Sequence, residues 1–283
     1  MKTYLECLPC FLRQAVEAAK LASEDPVRQK EAVSAVLRLL SEISVDDRPP
    51  QVAGRVHSTI RRVSGCDDPY FKVKQESNQA AMRLYPRAEE LVAASKDAFL
   101  TAAKIAVIGN IIDSGVALQY NLKAEIETAK FRTFAADDFA RFREEINKAT
   151  RVLYIVDNAG EIVFDRLLLE QMKEKQLSVA LKTKPMLNDA LRADAEFAGL
   201  NRLAPLLTTG LGWFKAGVED CSAEFLRAFR QADVIIAKGQ GNYEWLSDVK
   251  ANIFFLLMVK CPVIARDIGV AMGEMTVNAG REN

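Results

Sequence analysis

The stretch RVLYIVDNAGEIVFD, residues 151–165, decides how the chain reads. It begins with a continuous apolar run, Val152 to Val156. It breaks into Asp157, Asn158, Ala159, Gly160 and Glu161, then resumes with apolar residues at helical spacing through Leu169. A short unbroken apolar run closed by a polar loop that opens a helix is the profile of a parallel strand buried on both faces. In open α/β sheets, ligands bind in the crevice at the carboxyl ends of such strands. Here that position carries two carboxylates and an amide, which makes it a candidate metal site. The same residues also fit a plain N-cap pair, with Glu161 completing a capping box. The stretch taken alone leaves both readings open.

Working outward, strands and helices alternate from Lys104 to the end of the chain, which predicts βαβ units, an α/β class and a mostly parallel sheet. The apolar runs place strands at 105–108, 152–156, 178–183, 234–237 and 263–265, with a shorter one at 203–207. Helices are expected over 137–149, 162–175, 188–198, 223–231 and 243–259. Residues 1–100 read as helical. Leu8, Phe11, Leu12, Ala15, Val16 and Ala19 repeat near 3.6 residues, and Asp25-Pro26 starts a second helix. Pro49-Pro50 forces a break, a helix follows over 51–63 and ends at Gly65, and another covers 70–84. Pro86 then restarts a long helix through Ala102. The expected organisation is a helical region, 1–100, packing over the cleft of an α/β domain, 101–283.

Composition removes several classes of function. The 283 residues balance 38 Lys+Arg against 38 Asp+Glu, so no net field draws in nucleic acid or an anionic membrane. Apolar runs such as 253–259 are far short of a membrane span. The opening MKTYLECLPC lacks the apolar core and cleavage site of a secretory signal. Five cysteines, an odd number, do not make a disulfide framework. The expected setting is the cytoplasm, with reduced thiols. The oligomeric state is not legible.

Polar signatures recur where strands are expected to end: Gly109-Asn110 with Asp113, the 157–161 loop, Lys182 to Asp189, Lys238-Gly239-Gln240-Gly241-Asn242-Tyr243, and Arg266-Asp267. Parallel strands would bring these ends to one sheet edge. Asp157, Asn158 and Asp189 offer oxygen donors suited to magnesium or manganese. Zinc would usually recruit imidazole or thiolate, and the only histidine, His57, lies in the helical half. Lys238 could balance phosphate charge, and the Gly239-x-Gly241 backbone could donate N–H groups to the same anion. Each motif has a plainer reading: Asn188-Asp189 as a helix cap, Gly239-x-Gly241 as a tight turn, Asn110 and Asp113 as turn formers, His57 as a satisfied surface or interface residue, Phe254 and Phe255 as core. Cys7-Leu8-Pro9-Cys10 could bind metal if Cys261 or Cys66 came close, act in redox chemistry at a helix start, or be two structural thiols.

Taken in order, CLPCFLRQA, DPYFKVKQESNQAA, GNIIDSG, VDNAGEIVFD, Asn188-Asp189 and KGQGNYE resemble the small prokaryotic branch of the metal-dependent damage-control phosphatases. That family was formerly domain-of-unknown-function family eighty-nine and is also described as acidic-residue-methyltransferase-like. The resemblance implies a helical N-terminal region on a Rossmann-like α/β domain. It implies Asp157, Asn158 and Asp189 as ligands of a divalent metal (manganese, nickel, cobalt or magnesium), and Glu161 beside the metal in contact with substrate. Asn242 and Tyr243 would line the phosphate or sugar pocket, with Gly241 and Lys238 near it, and Asn110 and Asp113 would pack beside the metal. Where the larger sugar-phosphate branch carries Arg-Thr-x-Lys, this chain reads Ala265-Arg266-Asp267-Ile268, so Arg266 alone is a counterpart.

The leading expectation is hydrolysis of a phosphomonoester on a small metabolite such as a sugar phosphate, nucleotide or phosphopantetheine. Asp157, Glu161 and Lys238 are its expected catalytic residues, and attack comes from a metal-bound water or from Asp157. Two alternatives stand beside it. One is an S-adenosylmethionine-dependent methyltransferase, although GNIIDSG is not the glycine-rich loop such a cofactor uses. The other is a non-catalytic metal or metabolite sensor.

Overall fold

The computed structural model describes residues 1–110, 118–210 and 217–280. Five helices come first: α1 (Cys7–Ala22), α2 (Pro26–Leu40), α3 (Pro49–Ser64), α4 (Phe71–Ala93) and α5 (Ala98–Gly109). After α6 (Leu118–Thr128) come β1 (Phe134–Asp137), α7 (Phe139–Lys148), β2 (Arg151–Ile155), α8 (Glu161–Glu170) and β3 (Gln176–Leu181). The chain continues through α9 (Arg192–Phe197), β4 (Leu206–Thr208), α10 (Ala223–Gln231), β5 (Val234–Lys238) and α11 (Gly239–Leu246). It closes with β6 (Ile253–Met258), α12 (Pro262–Ile268) and β7 (Met275–Ala279).

The strands form one sheet in the order β1-β7-β6-β5-β2-β3-β4. Every pairing is parallel except β6 with β7. This is the expected α/β class. Strand β2 sits between β3 and β5. The chain leaves β2 toward β3 and β4, then returns to β5 on the other side. The loops after β2 and β5 therefore diverge, and they open the crevice that such reversals create at the carboxyl edge.

Side chains alternate across the sheet. Val152, Tyr154 and Phe254 face the layer made by α4, α5 and α8, while Leu153, Ile155 and Phe255 face α10, α11 and α12. Phe254 and Phe255 are core, as expected. Apolar packing runs from α4 and α5 into the sheet without a gap at residue 100. Helices α1, α2 and α3 close on a core of their own around Phe11, Ala15, Val36, Val56 and Ile60.

Several elements differ from the sequence expectation, each for a physical reason. Residues 105–108 belong to helix α5, not to a strand. The segment from Thr101 to Gly109 is buried all round, so its apolar pattern carries no period to tell helix from strand. Its alanines and an Asp97 side-chain cap on the Leu100 N–H (3.0 Å) favour the helix. Residues 263–265 lie in α12, which starts at Pro262 behind the Cys261 cap and ends at Gly269. The expected helix over 243–259 is two elements. Helix α11 stops at Leu246, and Ile253 to Met258 form a strand buried at every position. Strands β1 and β7 were not anticipated, because each pairs at the sheet's far edge through a short, mixed sequence. Helix α4 runs through Pro86 rather than restarting there.

The layers are locked by Lys238, the last residue of β5. Its ammonium donates to Glu161 Oε1 (2.7 Å) and Asp165 Oδ1 (2.5 Å) of α8, and to the Ala106 carbonyl (3.0 Å) of α5. All three charged side chains are fully buried. Burial opposes the ammonium's charge, but Asp165 and Glu161 overcome it and hold Lys238 protonated above its ordinary range. Burial lifts Asp165 to about 7 against the pull of Lys238. Its Oδ1 also accepts the Tyr154 hydroxyl (2.8 Å), and its Oδ2 has no hydrogen-bond partner among the described residues.

Removing one member of such a group leaves the others charged and unpaired in the core. Lys238→Met is expected to lower stability by about 3–5 kcal/mol, measured by urea unfolding at pH 7. A loss below about 1 kcal/mol would mean that the two carboxylates do not depend on the ammonium.

His57 gives a second measurable property. It is buried in α3, edge-on to Tyr70 with ring centroids 6.1 Å apart, and its Nε2 has no hydrogen-bond partner among the described residues. Burial pushes it from 6.5 down to about 4. The folded state thus refuses a proton that the unfolded chain accepts, so stability is present above pH 6.5 and is lost as pH falls toward 4. His57→Gln removes this contribution. The stability gap between wild type and variant should shift by about 3 kcal/mol in the variant's favour between pH 7 and pH 4. A gap that is constant with pH would contradict the burial account.

Candidate active site

A cleft of about 410 Å³ opens at the carboxyl edge, between the sheet and helix α1. Asp157, Asn158, Asn188 and Asp189 line one side, together with Gln240 and Gly241 at the start of α11. The loops after β2 and β3 are stitched by backbone. Asn158 and Asp189 form an antiparallel bridge, Ala159 N–H donates to the Asn188 carbonyl (2.9 Å), and Ala190 N–H donates to the Asp157 carbonyl (2.8 Å). This brings together side chains 32 residues apart in sequence. Leu187, just before the pair, has φ 47°, the left-handed region that disfavours a branched side chain by about 1–2 kcal/mol. Arg61 of α3 steadies that loop through the Pro185 carbonyl (3.4 Å).

Helix α4 pins the other loop. Gly160 has φ 81°, and its N–H donates to Asn78 Oδ1 (2.7 Å). A Cβ there would press on the Ser77 backbone at 3.1 Å. Gly160, with no side-chain cap, occupies the position before α8, so Asp157 and Asn158 are not its N-cap pair. Likewise Leu191, not Asn188 or Asp189, precedes α9. The plain N-cap readings of both motifs fall away, although Glu161 Oε2 does accept the Asn158 N–H (3.4 Å), the reach-back half of the expected capping box.

Two amides fix Asp157. Asn110 Nδ2 donates to Asp157 Oδ2 (3.1 Å) and Glu161 Oε2 (2.7 Å). Asn158 Nδ2 donates to the same two oxygens at 2.8 and 3.0 Å. Gly239, at φ 75°, supplies the remaining wall: a Cβ at that position would fall 1.8 Å from Asp157 Oδ2. The carboxylate lies against bare backbone.

The electrostatics favour a cation. Burial, then the charges of Glu161 and Asp189, raise Asp157 well above the usual carboxylate range. Lys182 is buried nearby, donates to Asn242 Oδ1 (2.9 Å), and is itself lowered by burial despite Asp189 and Asp157. Among the described residues no three His, Cys, Asp or Glu side chains form a ready metal cage. The oxygen donors that could hold a cation are instead two carboxylates and the Asn158 amide, whose nitrogen is committed to Asp157 and Glu161. These hard oxygen donors, few in number, fit magnesium or manganese with open positions.

Of the residues expected from sequence, Asp157, Asn158, Asp189 and Gly241 line the cleft. Glu161 and Lys238 do not reach it. Both are fully buried behind Asp157, with their polar atoms bound to one another and to the asparagines, so neither contacts a substrate as expected. Asn110 is sealed in the same layer. Asn242 is also buried, its amide spent on the Val156 and Lys238 carbonyls (2.9 and 2.7 Å). Tyr243 packs on Phe255 and donates to Asp267 Oδ2 (2.6 Å), away from the cleft. Arg266 is an exposed residue of α12 paired with Glu6 (2.8 Å). Asp113 lies outside the described residues.

Sequence reasoning missed the opposite wall. Helix α1 brings Cys7, Cys10, Arg13, Gln14 and Glu17 to the cleft, and Lys260 and Cys261 come from the segment after β6. The spacing of Cys10, Arg13, Gln14 and Glu17 is one helical stripe, opposite the buried Phe11, Ala15 and Ala18; that stripe was the available signal. Cys261 does come near the Cys7-x-x-Cys10 pair, whereas Cys66 is not in the cleft lining. Burial raises the Cys7 and Cys261 thiols, and all five cysteines are free.

The chain is similar to known proteins over nearly its whole length. The chain is 35% identical over 281 residues to damage-control phosphatase PH1575 of Pyrococcus horikoshii, covering 97% of each. It is also 35% identical over 285 residues to a damage-control phosphatase of Archaeoglobus fulgidus, covering 97% of this chain and 98% of that one. The crystal structure of a DUF89 family protein (PH1575) from Pyrococcus horikoshii superposes with a TM-score of 0.89 at 33% identity, over 99% of this chain and all of that one. With the model of the damage-control phosphatase ARMT1-like domain matching residues 3–276, the chain belongs to that family.

Proposed function

We propose that the cleft hydrolyses a phosphomonoester of a small, damaged or side-product metabolite, and that it does so with a divalent cation held by Asp157, Asn158 and Asp189. The family and its relatives named damage-control phosphatases support the reaction class. The observation that carries the metal is the excess of buried carboxylate at the cleft floor, where Asp157 is raised by burial and by Glu161 and Asp189. A phosphate dianion would be repelled from such a floor unless a cation came first. When bound, the cation supplies Lewis-acid polarisation of phosphate oxygens.

The chain's own residues do the rest. Asn110 and Asn158 hold the Asp157 carboxylate in one orientation, and Glu161 holds both amides. Lys238 fixes Glu161 from behind and is a positioning residue. Asp157 Oδ2 already accepts two hydrogen bonds and lies against Gly239, so we assign the attack to water, with Asp157 as a holder of the cation. Helix α1 covers the cleft and limits bulk water around the reacting group.

After treatment with a chelator, phosphate release from p-nitrophenyl phosphate should fall to background and return with manganese, nickel, cobalt or magnesium. Asp157→Ala and Asp189→Ala should each lower the restored rate on the order of 100-fold or more. Metal-stimulated release that survives in both variants would remove these residues from the site. Gly239→Ala probes the support of Asp157. Its Cβ would displace the carboxylate, and metal affinity measured by calorimetry should drop roughly 10–100-fold. An unchanged affinity would mean that Asp157 tolerates displacement.

A further inference from the structure

The two cations expected to meet the substrate's negative charge are both engaged elsewhere. Lys238 is sealed under Glu161 and Asp165, and Arg266 is paired with Glu6 on the surface. The cleft still needs a cation that faces its ligand. Its lining carries Glu17, Asp157, Asp189 and Glu244, besides Glu6 that Arg266 already pairs, against two cations, Arg13 and Lys260. Lys260 already acts on Asp157 and lies on the same side of the cleft, where its backbone N–H is bound by Gln240. Arg13 stands on the other wall.

Three observations single out Arg13. It lies on the α1 stripe that faces the cleft, while Phe11, Ala15, Ala18 and Ala19 of the same helix are buried against α2 and α3. The helix is thus held from behind with its orientation set. Among the described residues its guanidinium has no hydrogen bond and no ion pair, although Glu17 follows one turn later on the same face. Beside it, Gln14 donates its Nε2 to Cys10 Sγ (3.5 Å), and its buried Oε1 has no partner among the described residues. That oxygen is an acceptor suited to a ligand hydroxyl, which leaves the unpaired Arg13 guanidinium as the donor in this patch that can meet a phosphate.

We propose that Arg13 is the residue that grips the substrate's phosphate from the helical side, taking the oxygens turned away from Asp157 and Asp189. This rests on the phosphatase reading above. A guanidinium matches two phosphate oxygens with parallel N–H donors. It also supplies the positive charge that lets an anion enter a cleft rich in carboxylates. The assignment makes α1 part of the active site rather than a cover, and it explains why the helical region must sit on the sheet for the site to be complete.

The test uses the full chain loaded with manganese, p-nitrophenyl phosphate as substrate and inorganic phosphate as inhibitor. Arg13→Ala should raise KM and the phosphate inhibition constant by the same factor, roughly 10–100-fold, the range of one charge-assisted contact. The manganese dependence should not move, and kcat should change far less than KM. Arg13→Lys, with one charge but no fork, should recover part of the loss for both constants. If wild type releases phosphate but Arg13→Ala leaves KM and phosphate inhibition unchanged, or moves only kcat, the assignment of Arg13 is overturned while the phosphatase reading stands. If wild type releases no phosphate with any of the four metals, the reading of the site fails and takes this assignment with it.

Discussion

A single buried ammonium organises this molecule. Lys238 at the end of β5 faces Glu161 and Asp165 of α8 and a carbonyl of α5, all out of contact with water. Taking three charges from water is expensive, and attraction between them returns that cost only when geometry and remaining hydrogen bonds are good. Tyr154 adds a second bond to Asp165 Oδ1, while Oδ2 has no partner among the described residues, and Asn110 and Asn158 complete Glu161. The gain is positional. Glu161 turns one oxygen to the lysine and the other to two amides, and those amides hold Asp157. A chain of contacts runs from the centre of the sheet to the floor of the cleft, and no member of it is free to turn.

The cleft then takes its walls from two separately packed bodies. The floor belongs to the sheet, at the point where the strand order reverses. The facing wall belongs to α1, which is seated by the small core it shares with α2 and α3. Contacts from α3 and α4 to the floor loops keep the two in register: Arg61 to Pro185, and Asn78 to Gly160 and Asp194. The strained φ of Leu187 sits inside that arrangement, next to Asp189. Strain persists where surrounding structure over-determines it, and such places concentrate at binding sites.

Charge divides the same way. Negative groups outnumber positive ones in the cleft lining, where among the described residues only Arg13 and Lys260 are cationic, while Lys238 is buried behind the floor and Arg266 is paired at the surface. On the proposed reading, such a lining disfavours an anion alone, favours a cation, and would accept an anion once the cation is in place. That order of binding follows from the balance of charge, and it agrees with a phosphate-bearing substrate. Among the described residues no helix is long and apolar enough to cross a membrane, and over the whole sequence 38 Lys+Arg balance 38 Asp+Glu.

How far the sequence reaches depends on how local the determining forces are. The class of fold, β2 with its polar loop, and the gathering of Asp157, Asn158 and Asp189 at one cleft were legible because apolar runs and turn chemistry act between near neighbours. Helix α5 and strand β6 were misassigned because both are buried on every side. Burial all round erases the period that separates helix from strand, and only packing against α8 or β5 settles it. Lys238, Glu161, Asn242 and Tyr243 have the chemistry of a phosphate site, and sequence cannot tell whether a side chain points into a cleft or into the layer beneath it. Arg13 shows the converse, since its stripe on α1 was readable but what it faces was not. The sequence alone determined which polar groups gather at the carboxyl edge of the sheet. Only the tertiary structure decided which of them line the cleft and which hold the others still, because that choice depends on one direction per side chain, set by contacts far away along the chain.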